Sequence, residues 1–497
     1  MFFNSTRNNS IKITSAQAIK QGLSDEGGLF VPESFPKVTL DDIESLKNKD
    51  YREVAYFVLS KYLTDFTEEE LKDCISKAYT REKFETDSIA PLYAVNDKTY
   101  FLELWHGPTC AFKDMALQIL PHLLTVSAKK TGENRIITIL VATSGDTGKA
   151  ALEGFKDVDG TKIMVFFPKD GVSDIQKCQM VTQEGNNVSV MGVNGNFDDA
   201  QNGVKRIFTD EKMKEELNDH NIVLSSANSI NFGRLVPQIV YYFNSYIDLY
   251  KNNKIKLGEE MNVVVPTGNF GNILAAYYAK RMGLPVGKLI CASNKNNVLT
   301  DFINTGVYNK NREFHLTASP SMDILISSNL ERFIYEISGK DDKVLNSYMD
   351  MLKTDGKYEI SEDLKKIVND NFYGGCCDDE KTIETIKKSF KEDGYLIDTH
   401  TAVAKAVYDE YVTKTKDERV TIIASTASPY KFLDSVLKGI TDENLSDKNE
   451  FELIEKLSEI SGTSAPSSLT GLKNKEIRFK DFCEKQDMEE AVKGYLF

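Results

Sequence analysis

The sequence predicts an α/β fold of parallel, twisted sheets flanked by helices, and three observations predict it. From about residue 111 to 300, short β-branched runs alternate with amphipathic stretches: RIITILVA, KIMVFFP, NVSVMGV, NIVLSS, MNVVVP and KLICAS. Runs that are apolar throughout, rather than alternating, indicate strands buried on both faces, the signature of parallel sheets covered by helices. One further strand-and-helix unit, VTIIAS followed by PYKFLDSVL, returns near 420–438.

The remaining elements follow in chain order. Residues 1–95 read as a mostly helical domain, in which Thr67–Tyr79 opens on a Thr N-cap followed by acids. LYAV and TYFLEL around Asn-Asp-Lys form a hairpin leading into the 96–330 core, which includes a smaller mobile domain around 111–230. Pro121 should cost ~3 kcal/mol inside a helix, so a bend or a helix start is expected there. Residues 331–395 are charged and read as a helical insertion with a Tyr-Gly-Gly-Cys-Cys loop; 396–440 return to the core, and 441–497 form a helical tail.

Size and charge narrow the function classes. At 497 residues, two or three domains are expected. Net charge is −14, from 61 basic and 75 acidic residues, which argues against nucleic-acid or acidic-membrane partners held by bulk electrostatics. No apolar run approaches the roughly 18–20 residues of a membrane span. The start, MFFNSTRNNSIKITSAQ, lacks a signal-peptide core, so a cytoplasmic location is expected. The seven cysteines form no CxxC pair and the five histidines no HExxH, so reduced thiols and no metal site are expected.

Ligands of open parallel sheets sit beyond the carboxyl ends of the strands, and several such ends here carry unusual loops. VATSGDTGKAAL invites a P-loop reading, but Thr143 stands where the first glycine belongs and Ala150 where a magnesium-binding hydroxyl belongs. What remains is Thr143, Ser144, Gly145, Asp146, Thr147 and Gly148 at a helix start, suited to a carboxylate or phosphate. Gly268-Asn269-Phe270-Gly271-Asn272 suits either a tight strand-to-helix turn or a phosphate cradle. Asn228, Ser229 and Arg234 offer amide, hydroxyl and guanidinium donors within a few residues. Ser425-Thr426-Ala427-Ser428-Pro429 starts a helix with a hydroxyl at the mouth of the sheet. Lys113, in HGPTCAFKDMALQIL, lies against Phe112, Met115 and Ala116, where a charged amine is rarely wanted. Burial lowers a lysine's pKa and exposes its lone pair, and an imine to pyridoxal phosphate is the commonest use of such a residue.

These segments in this order resemble threonine synthase: His106–Asp114, Thr143–Gly148, Asn228–Pro237 and Gly268–Asn272, together with GLSDEGGLFVPESFP, SPSMDILISSNLERFIYEISG and DTHTAVA. The resemblance spans about residues 13–435. It implies a fold type II pyridoxal-phosphate enzyme of the longer subgroup, with an added N-terminal domain and a C-terminal insertion. The implied reaction converts O-phospho-L-homoserine and water to L-threonine and phosphate, in a monomer or homodimer; a phospho-lyase releasing phosphate and ammonia is the alternative. By the same resemblance Lys113 is the Schiff-base lysine and general base. Gly268, Asn269, Phe270, Gly271 and Asn272 hold the cofactor phosphate, and Thr426 the pyridine nitrogen. Thr143, Ser144 and Thr147 face the substrate's anionic groups, while Asn228, Ser229 and Arg234 take its phosphate. Asp146 stands where many relatives of this fold have an asparagine near the cofactor's 3′ oxygen, and an acid there would be repelled by a phenolate. Its role is left open.

Overall fold

Two parallel sheets organise the computed structural model, which describes every residue except Ser144, Asp170 and Gly171. The larger has six strands in the order Phe372–Cys376, Val286–Ser293, Met261–Pro266, Thr421–Ser425, Thr99–Glu103 and Leu92–Ala94. All neighbours are parallel except the last pair, the expected hairpin. The smaller sheet has five parallel strands, ordered Phe482–Glu484, Val188–Asn194, Thr161–Pro168, Ile136–Ala142 and Ile222–Ser225. Every β-branched run read from the sequence is one of these strands. Their central members are buried along nearly their whole length, as two covered faces require.

The helices obey their local signals. Thr67 accepts the N–H of Glu70 while the Glu70 carboxylate accepts the N–H of Thr67 at 2.7 Å, a reciprocal cap on Glu68–Ala78. Pro121 lies in the first turn of Leu120–Lys130, just after the short helix Asp114–Leu117, where its missing N–H costs no helical hydrogen bond. Among the described residues no helix is long and apolar enough to cross a membrane.

Three expected boundaries need correction. The hairpin Leu92–Glu103 runs across the division at residue 95, so its first strand belongs to the larger sheet. The 1–95 segment also carries a three-stranded antiparallel sheet, Asn8–Thr14, Phe2–Ser5 and Phe30–Pro32. The 331–395 segment is not helices alone, since the glycine-rich Phe372–Cys376 is an edge strand parallel to Val286–Ser293. The two glycines are what let it dock: a Cβ on Gly375 would lie 2.6 Å from Val407, and one on Gly374 3.1 Å from the Thr300 carbonyl. The 441–497 tail likewise contributes Phe482–Glu484 to the smaller sheet.

Candidate active site

Three adjacent strands of the larger sheet end in loops that emerge side by side: Thr99–Glu103 leads to Lys113, Thr421–Ser425 to Thr426, and Met261–Pro266 to Gly268. From the smaller sheet, neighbouring strands Ile136–Ala142 and Ile222–Ser225 lead to Asp146 and to Asn228. The topology therefore gathers the loops singled out in the sequence at one set of strand ends.

The lysine loop is held by its own acid. Asp114 accepts from the Thr109 N–H at 2.8 Å and the Thr109 hydroxyl at 2.7 Å, and Cys110 adopts a left-handed φ of 58°. Gly107 is required here, because a Cβ would lie 2.6 Å from the Asp114 side chain. The Phe112 N–H donates to the Thr426 carbonyl at 2.8 Å and the Ser428 N–H to the Cys110 carbonyl at 3.0 Å, which stitches the Lys113 and Thr426 loops together. Lys113 is 8% exposed, its Nζ 3.3 Å from Ser321 Oγ and 3.5 Å from Asp146 Oδ2. Burial lowers its pKa; Asp146 opposes that shift, while Lys431 and Arg234 reinforce it. The amine is dry and weakly held, the state a nucleophile needs.

Asp146 is the most heavily compensated group in the site. Its Oδ1 lies 2.5 Å from Lys431 Nζ and accepts from Gln176 Nε2 at 2.9 Å. Burial alone would raise its pKa, but Lys431 and Lys113 outweigh burial and keep the carboxyl well below the usual range. Lys431 also donates to the Thr109 carbonyl at 3.0 Å. The Ser321 N–H donates to His400 Nε2 at 3.2 Å, and His400 Nδ1 pairs with Asp398 Oδ1 at 2.9 Å, which puts the ring proton on Nδ1. Sequence reasoning gave no role to Lys431, Gln176, Ser321 or His400. Three of the four stand in segments already picked out, SPYKF, SPSMDIL and DTHTAVA.

The glycine loop has the features of a phosphate cradle. Helix Gly271–Met282 starts without a side-chain cap, leaving its first N–H groups open, and Phe270 sits at φ 62°. Its ring packs against Phe333 and Phe372 at 5.8 and 5.6 Å, which over-determines that costly conformation. Gly268 approaches the chain closely, since a Cβ would lie 2.9 Å from the Ser321 carbonyl. Ser327 donates to the Gly268 carbonyl at 2.9 Å, and Asn329 braces the Asn269 carbonyl at 3.0 Å. Asn272 Oδ1 accepts from Tyr241 at 2.8 Å and from Tyr242, while its buried Nδ2 has no partner among the described residues.

The expected substrate contacts divide. The Thr143 hydroxyl accepts from the Gly145 and Gly148 N–H groups at 3.0 and 2.9 Å and donates to the Gly145 carbonyl, so its capacity is used inside its own turn. Ser144 lies outside the described residues, and Thr147 is half-buried at the start of Asp146–Phe155. Asn228 accepts from the Ser229 N–H at 2.5 Å, and Ser229 Oγ meets Ser328 Oγ at 3.4 Å, which in turn donates to Asn269 at 3.2 Å. Arg234 is 6% exposed, donates once, to the Ala227 carbonyl at 2.9 Å, and meets no carboxylate among the described residues. An uncapped helix, an orphaned buried amide and a buried guanidinium lacking a counter-charge fit pyridoxal phosphate and a phosphorylated substrate.

Known proteins give a matching picture. The chain matches the family described as Threonine synthase N terminus over residues 2–79, Pyridoxal-phosphate dependent enzyme over 84–426, and Threonine synthase, C-terminal over 401–495. It is 39% identical to human Threonine synthase-like 1 over 88% of its length, and spans only 59% of that relative. It is 36% identical to Threonine synthase of Schizosaccharomyces pombe, with 89% of this chain and 90% of that one covered. The PLP-bound Threonine synthase structure from Brucella melitensis superposes at TM-score 0.88 with 35% identity, covering 100% of this chain and 99% of that one.

Proposed function

This chain belongs to the threonine synthase family of pyridoxal-phosphate-dependent carbon–oxygen lyases acting on phosphate esters, and on that premise we propose that it converts O-phospho-L-homoserine and water to L-threonine and phosphate. The observation that carries the reading is the buried Lys113, whose Nζ lies 3.3 Å from Ser321 Oγ while the Ser321 carbonyl closely approaches Gly268, in the turn before an uncapped helix start. Gly268–Asn272 would hold the cofactor phosphate through backbone N–H groups, Thr426 the pyridine nitrogen, and Lys113 the aldehyde carbon. When bound, pyridoxal phosphate withdraws electrons from the amino acid's carbon skeleton.

The chain's own groups do the rest. The leaving phosphate is on Cγ, so protons must leave Cα and then Cβ. Lys113 Nζ, freed by the incoming amine, is placed to take the Cα proton and, once it has handed that proton on to the bound cofactor–substrate adduct, to take the Cβ proton in turn. A hydroxyl at Thr426 cannot hold a full proton on a ring nitrogen as a carboxylate would, which tempers electron withdrawal and works against transamination. Asn228, Ser229 and Arg234 would bind the substrate phosphate and retain it while water adds at Cβ.

A phospho-lyase outcome stays as the second reading, because it would call on the same lysine and the same anion-binding loops, and the chain spans only 59% of the length of human Threonine synthase-like 1. Product analysis by NMR separates them. Threonine with phosphate is expected; 2-oxobutyrate with ammonia would transfer the assignment to the lyase. Borohydride trapping followed by peptide mapping should place the cofactor on Lys113, and a label on another lysine would sink both readings.

A further inference from the structure

The unexplained acid beside Lys113 has a partner that the proposed chemistry leaves without a task. Asp146 lies between two lysines at unequal distances, 2.5 Å from Lys431 Nζ and 3.5 Å from Lys113 Nζ. Lys431 has no freedom to be elsewhere. Its residue is 4% exposed, it sits in the short turn Pro429–Lys431 directly after the Thr426 loop, and its Nζ is also tied to the Thr109 carbonyl at 3.0 Å. Gln176 closes the far side of the same carboxylate oxygen at 2.9 Å.

We propose that Lys431 is a positioning residue that takes up the charge of Asp146 and so leaves Lys113 a free, nucleophilic amine. With one lysine and one carboxylate in a dry pocket, the two would form an ordinary ion pair, and the lysine would stay an ammonium. A second, closer cation changes that balance: the carboxylate is already neutralised, and an additional proton on Lys113 would meet Lys431 and Arg234 as like charges. The arrangement also answers the electrostatic objection to an acid near a phenolate, because Asp146 and Lys431 together present no net charge. The other groups facing Lys113 do not supply this function. Ser321 is neutral, and His400 behind it directs its proton to Asp398. Asp114, on the lysine's own turn, is engaged by Thr109.

The inference rests on Lys113 being the cofactor-bearing lysine, yet its test needs neither cofactor nor substrate. In the cofactor-free full-length protein, lysines are trace-labelled with acetic anhydride across a pH series, and the Lys113 peptide is quantified by mass spectrometry. Burial scales the labelling rate at every pH, whereas only protonation moves the midpoint. In Lys431→Gln the Lys113 midpoint should rise by a unit or more, which is about tenfold less labelling below it. Lys431→Arg should keep the original midpoint, and Lys431→Gln combined with Asp146→Asn should return it to or below the original. An unchanged or lowered midpoint in folded Lys431→Gln overturns the proposal. Should that variant fail to fold, Lys431→Met is labelled in its place: the same rise of the Lys113 midpoint is expected, and an unchanged or lowered midpoint overturns the proposal. Borohydride mapping to a different lysine would remove the functional reading while leaving this titration result standing.

Discussion

Two arginines that bond the backbone on either side of the Asn228–Ser229 turn are both buried and yet do opposite things. Arg332 donates Nε to the Phe30 carbonyl at 3.1 Å, one terminal nitrogen to Asn329 Oδ1 at 2.5 Å, and the other to the Ile230 carbonyl at 2.5 Å. Among the described residues the Arg234 side chain makes one bond, to the Ala227 carbonyl. Burial pushes both guanidinium groups down to about 10, so charge and desolvation do not tell them apart. Unused hydrogen-bonding capacity does. Arg332 ties the N-terminal sheet to the core, while Arg234 has donors left over among the described residues, as its proposed phosphate contact would need.

If that distinction is right, the groups with unmet capacity should matter for chemistry and the saturated ones for folding. Lys113, whose side-chain polar contacts among the described residues are no closer than 3.3 Å, is the extreme case. Lys113→Ala should lose at least the roughly 10²–10⁴-fold that a positioned base supplies, and bind no cofactor covalently, with little change in thermal unfolding. A variant that unfolds early would break the comparison. Arg332→Met should do the reverse, leaving two buried acceptors and one half-buried acceptor without this donor and costing roughly 3 kcal/mol of stability by denaturant unfolding.

The carboxylates sharpen the same point. Asp146 has a lysine at 2.5 Å and is held ionised, but at Asp114 burial outweighs the Thr109 donors and the charge of Lys431 and pushes the carboxyl up to about 6 from 3.8. A raised carboxyl contributes stability that is fully present below the unfolded pKa and is lost as pH rises through the folded one. Stability should therefore fall between pH 4 and 6 by up to about 3 kcal/mol on account of this group. Asp114→Asn should flatten that slope in urea titrations, and an unaltered slope would mean that Thr109 already keeps the carboxylate charged.

What could be read in advance follows the same line between local and distant causes. The central strands were legible because a run such as KIMVFFP must be covered on both faces whatever its neighbours are. Lys113 was legible because an ammonium beside Phe112 and Met115 contradicts its surroundings. The Phe372–Cys376 strand was not, because its two glycines weaken strand propensity and find their reason only in the Val407 and Thr300 atoms they admit. The inward turn of the Thr143 hydroxyl onto Gly145 and Gly148 was not legible either, because nothing local shows it. Lys431 lies in a segment that had been singled out, but its partner Asp146 belongs to the other sheet, and a charge pair made by topology leaves no spacing in the chain.

Arg234 carries the most discriminating, though the smallest, of the expected effects. Its replacement by methionine removes a desolvated charge and strands only the Ala227 carbonyl, so without ligand the fold should change by no more than about 1 kcal/mol in either direction. The loss should appear once an anion is present. Inorganic phosphate should raise the unmutated protein's unfolding midpoint in proportion to ln(1 + [L]/Kd), about 2.7 kcal/mol at a hundred times Kd, and leave Arg234→Met nearly flat. A charge-assisted bond to phosphate is worth roughly 1.5–3 kcal/mol, so KM for the phosphorylated substrate should rise about ten- to a hundredfold with kcat largely kept, because the contact exists before and during the reaction. If Arg234→Met instead unfolds several kcal/mol early in plain buffer, Arg234 is a structural tie like Arg332. Unmet hydrogen-bonding capacity would then not be what separates a binding site from a core.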